Sequence, residues 1–561
     1  MEHPQLDSSD LDRMAHNRLP AHNVAAQIKS RAFMQQSHAG IFTVWLLLTL
    51  VNLYFHQLIP LDETRYASVA WDMWVRHDWL VPHLNGIPYH HKPPLLFWID
   101  NLGWALFGVN ELWLMMVSPL CALFSLYALS SLAGRLWPGD IDAMRKAPWL
   151  LLGTLIWGAY LNSSMFDMLL GLCVLVAMIG LVEAAKRLVW KHWALYGLGC
   201  GFGLLAKGPV VFMHILAPFL LGLFWSETAK REPAKWYLQG AIALAVGISI
   251  GLAWAVPAVL NAGNAFGGTL LWHQTADRVV NSFAHRRPLW WYLELAPLIL
   301  FPWFFWPRFW QVICRKELFA DPAIRFCAIW FIAGIVGFSA ISGKQVHYLL
   351  PLMPALALLM SRALTARAPA DLRIGDFLPF VVICLFGLSL LLLPMIPNLK
   401  LYQWLQNRQI WWPLAIIATG VAGIALKTKT RRLTPYSLSA SVIILLMTSI
   451  AGFFSSTGNA FHLNDAATHL QKYLKAGEPI AWAGKYEGQF LFLLRLKEPM
   501  PVIQYSDIPQ WLDEHLKGHV ISIDASPNPP IKGLALKTDY VQHYREDWLI
   551  VRSKPRFENL P

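Results

Sequence analysis

Residues 237–259 read YLQGAIALAVGISIGLAWAVPAV, a run of 23 residues without Asp, Glu, Lys or Arg. The hydrocarbon core of a bilayer is about 30 Å thick, and a helix needs roughly 20 apolar residues to cross it. This stretch therefore predicts a transmembrane helix.

Apolar runs of this kind recur along most of the chain. Thirteen transmembrane helices are predicted, near 40–60, 109–133, 147–162, 165–184, 193–206, 209–226, 237–259, 290–308, 323–341, 347–366, 375–396, 410–426 and 435–455. The fold class predicted from this pattern is a polytopic α-helical membrane protein.

The composition of the 561 residues agrees with a membrane protein. Only 14% are charged and 56% are hydrophobic, whereas a soluble chain carries about 25% charged residues. The six Cys lie inside apolar stretches without the spacing of metal ligands, which excludes a disulfide scaffold. The net charge of +12 comes from Lys and Arg scattered through short loops. We therefore expect contacts with membrane lipids and no nucleic-acid partner.

The distribution of Lys and Arg predicts the orientation, because cytoplasmic loops of membrane proteins are enriched in these residues. They concentrate in alternate connections, for example 13–31, 135–146, 186–191, 230–235 and 427–432. Residues 1–39 are thus predicted to be a cytoplasmic tail without a signal peptide, and residues 40–455 the transmembrane domain. An odd number of spans places residues 456–561 on the periplasmic side, where charged residues and short apolar runs predict a small α/β domain.

Polar residues cluster on the predicted outer side. The large periplasmic loop 61–108 carries Asp62 and Lys92 and enough Trp to predict helices lying in the membrane interface. Asp167 begins a later span. Any one of these residues alone would be an ordinary solvated boundary residue. Their convergence on one side, with more cations, His and Tyr, instead favours a site that handles a lipid-linked phosphate, since Lys and Arg bind phosphate oxygens.

Several motifs resemble a known family. The first loop contains Asp62-Glu63-Thr64-Arg65-Tyr66 and Lys92-Pro93-Pro94-Leu95. Ala206-Lys207-Gly208-Pro209, Phe301-Pro302-Trp303 and 342–354 follow in order. Together they resemble the aminoarabinose transferase (ArnT-like) branch of the GT-C glycosyltransferases, membrane enzymes that use lipid-linked sugars and are related to protein O-mannosyltransferases.

The resemblance implies a GT-C fold and the transfer of a sugar from undecaprenyl phosphate to an acceptor at the periplasmic face of the bacterial inner membrane. The implied sugar is 4-amino-4-deoxy-L-arabinose or a related one, and the implied acceptor is lipid A of lipopolysaccharide. By the same resemblance, Asp62 and Asp167 match catalytic carboxylates, and Lys92, Arg278 and Tyr348 match positions that hold the carrier phosphate.

The resemblance also implies a divalent-metal site, for which Zn²⁺ suits imidazole ligands. Its positions here are His91 and His273, although the family has an acidic residue where this chain has His91. Otherwise no cofactor is expected.

Two other functions stay open from the sequence. A protein O-glycosyltransferase would use the same kind of donor on a protein acceptor, and another periplasmic glycan could also accept the sugar. A lipid-sugar transporter would bind phosphate too. Transporters, however, place functional charges near the middle of the bilayer, often within repeats, and this chain shows neither feature.

Overall fold

The computed structural model describes residues 21–262, 286–365, 373–397, 399, 402–430, 434–527 and 536–555. Most of this part of the chain is helical. The α-helices up to the end of the bundle are α1 Ala21–Phe55, α2 Asp62–Arg76, α3 Leu95–Phe107, α4 Glu111–Leu136, α5 Ile141–Leu152, α6 Leu155–Tyr160, α7 Phe166–Lys186, α8 Trp190–Lys207, α9 Phe212–Leu220, α10 Glu227–Arg231, α11 Pro233–Ala262, α12 Trp291–Glu294, α13 Ala296–Ile299, α14 Pro307–Ile313, α15 Pro322–Ala340, α16 Met353–Thr365, α17 Leu378–Leu392, α18 Gln403–Gln406, α19 Trp411–Thr430 and α20 Pro435–Thr457.

Ten helical stretches within the described ranges are long and apolar enough to cross a membrane. The prediction of a polytopic membrane protein is therefore confirmed. The first helix begins at Ala21, well before the predicted start at residue 40, although its apolar part runs only from Met34.

The difference between ten stretches and thirteen predicted spans has two physical causes. One stretch, Trp190–Leu220, reverses direction at Gly208, whose φ is +73°. Its two halves lie side by side, as shown by the hydrogen bond that the Tyr196 hydroxyl donates to the Ile215 carbonyl at 3.2 Å. The predicted spans 193–206 and 209–226 are thus α8 and α9 of a helical hairpin.

The other cause is that two predicted spans are interrupted. The span at 147–162 consists of α5 and α6, separated at Gly153-Thr154. The span at 290–308 is divided into short helices, α12 to α14, in a segment that contains several Pro residues, which remove backbone donors and break helices. Neither forms one continuous helix.

The loop 61–108 folds into two helices and a short hairpin. Helices α2 and α3 pack through Trp71 and Trp104, whose rings are 6.3 Å apart, and Asn101 donates to the carbonyl of Ala70 at 3.1 Å. Strands β1 His83–Leu84 and β2 Ile87–Pro88 pair antiparallel between the helices. The loop is therefore a packed layer over one end of the bundle.

A small α/β domain follows α20. It contains helices α21 Asn464–Lys475 and α22 Ile508–Glu514 and strands β3 Ile480–Ala483, β4 Val502–Ile503, β5 His519–Asp524, β6 Lys537–Tyr544 and β7 Asp547–Ser553. The strand order is β4-β3-β5-β7-β6, with β3 parallel to both of its neighbours and β7 antiparallel to both of its own. The predicted C-terminal α/β domain is therefore confirmed.

This domain is seated on the loop layer. The Ser68 hydroxyl on α2 donates to the Gly488 carbonyl at 2.5 Å, and the indole of Trp71 donates to the Leu496 carbonyl at 2.7 Å. Phe492 stacks on Trp104 with ring centroids 5.3 Å apart. Residues of the C-terminal domain thus join the same core as the loop helices.

Candidate active site

The exposed carboxylate of the site is Asp62, in the first turn of α2. More than half of its side chain is exposed (57%). The guanidinium of Arg65, one helical turn later, donates to Asp62 Oδ1 at 2.8 Å. A second nitrogen of Arg65 lies 3.5 Å from a carboxylate oxygen of Glu487 in the C-terminal domain. Burial alone would lower the pKa of Arg65, but Tyr89 and these two carboxylates raise it, so the guanidinium remains charged.

The buried carboxylate of the site is Asp167, at the start of α7. Lys207 ends α8 at the tip of the helical hairpin, and its Nζ atom lies 2.5 Å from Asp167 Oδ1. The exposed fractions of the two side chains are only 3% and 8%. A buried charge is tolerated when an opposite charge pairs with it, and each of these residues provides the other with that partner.

Lys92 and Tyr348, two of the predicted phosphate-binding residues, lie around this ion pair. Lys207 Nζ is 5.0 Å from the centre of the Tyr348 ring. Lys92 Nζ is 5.5 Å from the ring of Phe166, the neighbour of Asp167, and Lys92 interacts electrostatically with Asp167. The structure therefore brings four charged or hydroxyl-bearing side chains from the loop, α7, α8 and the 3₁₀ turn Val346–Leu352 to one place.

Two tyrosines connect the exposed and buried carboxylates. Tyr66 and Tyr160 each interact electrostatically with both Asp62 and Asp167. Burial, and then the charge of Asp62, raises the pKa of Tyr66 well above its usual value, so its phenol stays neutral. Asp62 and Asp167 therefore border one polar region at the same end of the bundle.

Glu63 supports both carboxylates from behind. Its side chain is buried and accepts hydrogen bonds from the backbone N–H groups of Ile59, at 2.9 Å, and Ser164, at 2.8 Å. His56 Nε2 lies 3.0 Å away. Although burial opposes ionisation, the charge and hydrogen bond of His56 and the two backbone donors lower the pKa of Glu63. One carboxylate thereby fixes the segment that leads into Asp62 and the segment that precedes Asp167.

A further buried carboxyl group, Asp100 on α3, lies behind Glu63. It lines a small cavity together with Glu63, Tyr66 and Ser118, and burial raises its pKa well above the usual value. The Ser118 hydroxyl is buried without a hydrogen-bond partner in the described structure. The cavity lies behind Tyr66 and Glu63, so Asp100 is a buried carboxyl group at the back of the site.

The predicted metal site is not assembled in the described part of the chain. Among those residues, no group of three or more His, Cys, Asp and Glu could hold a metal ion. His91 stacks on the ring of His90 with centroids 4.4 Å apart. His273 and the predicted phosphate ligand Arg278 lie outside the described residues.

Lys207, Arg65 and Glu487 were not predicted as site residues. Lys207 carried a signal that could have identified it, since a Lys directly after the apolar run 193–206 and before Gly208-Pro209 must find a partner for its charge. Arg65 stands three residues after Asp62, the spacing of neighbours on a helix. No local pattern marks Glu487, because its contact with Arg65 depends on how the C-terminal domain docks.

The chain is similar to several known proteins. Residues 91–254 match a family described as dolichyl-phosphate-mannose-protein mannosyltransferase. The undecaprenyl phosphate-alpha-4-amino-4-deoxy-L-arabinose arabinosyl transferase 2 of Pseudomonas fluorescens is 30% identical over 333 residues, which are 58% of this chain and 59% of that protein. The chain thus spans about three-fifths of the length of the first curated relatives that it matches. An arabinosyl transferase of the same description from Photorhabdus laumondii is 26% identical over 82% of this chain and 88% of its own length.

Solved structures show the same fold. ArnT from Cupriavidus metallidurans, crystallised with undecaprenyl phosphate, superposes with a TM-score of 0.68 at 20% identity and covers 94% of this chain and 99% of its own. Its apo structure gives a TM-score of 0.70 at 18% identity, with 94% and 100% coverage. The chain therefore has the GT-C fold of ArnT, and the resemblance read from its motifs is confirmed.

Proposed function

We propose that this protein is a glycosyltransferase that moves a sugar from an undecaprenyl-phosphate carrier to lipid A. The proposed sugar is 4-amino-4-deoxy-L-arabinose, which appears in the names of the similar arabinosyl transferases of Pseudomonas fluorescens and Photorhabdus laumondii. The observation that carries the proposal is the placement of Lys92, Lys207 and Tyr348 around buried Asp167, beside the exposed carboxylate of Asp62.

The cations serve the departing carrier phosphate. In the proposed reaction the bond between the sugar C1 atom and the carrier phosphate oxygen breaks, and negative charge grows on that phosphate. Lys92 and the hydroxyl of Tyr348 would hold the phosphate, with Arg278 as a third ligand predicted from the sequence. Donors fixed before the reaction stabilise such charge without reorganising. Lys207 is paired with Asp167, so it would hold that carboxylate in place beside the phosphate rather than bind the phosphate itself.

Asp62 serves the acceptor. Its exposure leaves it open to a second substrate, and the hydrogen bond from Arg65 fixes its direction. If the acceptor is a phosphate of lipid A, its oxygen is already ionised near neutral pH and Asp62 orients it or stabilises positive charge at C1. If the acceptor is a hydroxyl, Asp62 removes its proton as the new bond to C1 forms.

The proposal includes a location and an orientation. Several apolar helices make the chain a multi-pass membrane protein. We place it in the bacterial inner membrane with the site and the C-terminal domain in the periplasm, from the distribution of Lys and Arg in the sequence. The predicted zinc site at His91 and His273 stays a prediction, which metal analysis of the purified protein and of a His91→Ala variant would test.

Two experiments test the function. Mass spectrometry of lipid A from cells with and without the gene would show a mass increment for the amino sugar only when the gene is present. Purified protein supplied with the undecaprenyl-phosphate amino sugar and lipid A would yield the same product. Unmodified lipid A in both experiments would contradict the proposed acceptor.

A second candidate is a protein O-glycosyltransferase, and the match of residues 91–254 to the mannosyltransferase family supports it. It would use the same phosphate-binding residues but would require Asp62 to act as a base on a Ser or Thr hydroxyl. Glycopeptide analysis of periplasmic proteins from the same two strains would distinguish the two functions.

A further inference from the structure

In the part of the C-terminal domain that the structure describes, Glu487 is a charged group that contacts Arg65 of the reaction centre. Glu487 lies in the segment between β3 and β4 and is mostly buried, with 16% of its side chain exposed. One of its oxygens lies 3.5 Å from Arg65, which in turn donates to Asp62 at 2.8 Å. A single guanidinium is therefore shared between a carboxylate of the transmembrane unit and a carboxylate of the C-terminal domain.

The backbone around Glu487 is held firmly against the loop layer. The next residue, Gly488, accepts a hydrogen bond from Ser68 at 2.5 Å, and the same hydroxyl accepts one from the Phe492 N–H at 3.2 Å. Asn85 of the loop makes two hydrogen bonds with the backbone of Met500, at 2.7 and 3.0 Å. These contacts attach the two ends of the segment 488–500 to α2 and to the β1-β2 hairpin.

The position of Glu487 is also fixed on its other side. Its N–H donates to the side-chain oxygen of Gln489 at 2.8 Å, and its second carboxylate oxygen pairs with Lys485. A carboxylate held in this way gives the Arg65 guanidinium a fixed second anchor. Without that anchor, the flexible Arg65 side chain and the Asp62 carboxylate that it binds are free to change direction together.

We propose that Glu487 is a positioning residue of the active site, which acts through Arg65 to hold the Asp62 carboxylate toward the acceptor. This inference rests on the proposed function. It assigns a role to the C-terminal domain, which supplies one anchor of the Asp62-Arg65 pair and completes the acceptor side of the centre.

The test compares Glu487→Gln with Glu498→Gln, a matched change at an exposed Glu of the same segment. Purified variants are assayed with the undecaprenyl-phosphate amino sugar and lipid A. We expect Glu487→Gln to lower kcat about tenfold, a barrier change of roughly 1.4 kcal/mol, while the KM for the donor changes less than about twofold. The thermal midpoint is expected to stay the same, because Arg65 keeps its ion pair with Asp62. Glu498→Gln is expected to match the parent.

Arg65→Gln provides the decisive comparison. If Glu487 acts through Arg65, Glu487→Gln has no further effect in the Arg65→Gln background, since neighbours that act as a unit are not additive. Glu487→Asp is expected to recover part of kcat. Full activity of Glu487→Gln, or the same loss in both backgrounds, would overturn the inference while leaving the proposed function intact. A parent protein that transfers no sugar would overturn both.

Discussion

Lys207 Nζ lies 2.5 Å from Asp167 Oδ1, and each residue comes from a different helix end. The pair therefore closes the tip of the α8-α9 hairpin onto the start of α7. Experiment can separate its role in fixing the fold of this end from its proposed role in placing Asp167 beside the phosphate site.

Breaking this ion pair tests both roles. Lys207→Met leaves Asp167 as an unpaired buried charge, so we expect a loss of about 3–5 kcal/mol in the free energy of unfolding. The double variant Lys207→Met/Asp167→Asn removes both charges and is expected to regain most of that stability but little activity. Thermal unfolding in detergent measures the stability of each variant, and the sugar-transfer assay measures its activity. Restored activity in the double variant would assign the pair a structural role alone.

Asp62→Asn addresses the chemistry directly. The amide keeps the shape of the carboxylate but loses its charge, so we expect turnover to fall at least about a hundredfold while undecaprenyl phosphate still binds. Asp142→Asn is the control, since Asp142 is equally exposed (58%) and pairs with Lys146 away from the site. Asp62→Asn protein that transfers sugar at the parent rate would remove Asp62 from the mechanism.

Lys92→Ala and Tyr348→Phe test the donor side. A hydrogen bond to a charged group contributes about 1.5–3 kcal/mol, so Lys92→Ala is expected to weaken carrier binding by roughly ten- to a hundredfold, and Tyr348→Phe by less. Equilibrium binding of undecaprenyl phosphate to purified protein gives the measurement. Lys191→Ala, an exposed Lys outside the site, is expected to bind like the parent. Unchanged binding in Lys92→Ala would show that this Lys only anchors the loop.

Asp100 predicts a dependence of stability on pH. Burial raises the pKa of Asp100, so the folded state keeps a proton that the unfolded state releases as the pH rises past the ordinary value near 4. This group therefore lowers stability as pH rises from that value toward its folded-state pKa.

The variant Asp100→Asn removes this titration. We expect a higher thermal midpoint than the parent at pH 7 and a smaller difference near pH 4. Asp507→Asn, at an exposed position of the C-terminal domain, is expected to follow the parent at both values. A lower midpoint for Asp100→Asn at pH 7 would mean that Asp100 is ionised and paired.

Orientation is tested with reporter fusions. Because cationic loops face the cytoplasm, a reporter active only outside the cytoplasm is expected to be active after Pro561 and inactive near Arg145. The opposite pattern in a stably inserted protein would place the site on the cytoplasmic side.

The lengths of the apolar runs and the composition were enough to predict the bundle, because a run such as 237–259 is long enough to cross a bilayer as a helix. They also predicted 193–206 and 209–226 as two consecutive spans, but could not reveal that Lys207 between them pairs with Asp167, since a short turn looks alike whether it leads into solvent or into a site. Asp62 and Asp167 could be named from motifs. Their shared support by Glu63 could not, because the N–H groups of Ile59 and Ser164 are backbone donors that every sequence contains.

The two backbone hydrogen bonds that Glu63 accepts, from Ile59 and Ser164, have a consequence in a bilayer whose thickness changes. Changes in lipid thickness tilt helices against one another, which would normally alter the gap between groups on different helices. Here the chain entering α2 and the chain entering α7 are tied to one carboxylate, so the two segments that carry Asp62 and Asp167 move together. Thinner or thicker membranes are then expected to change how readily long-chain lipids arrive, while the spacing of the two carboxylates is preserved.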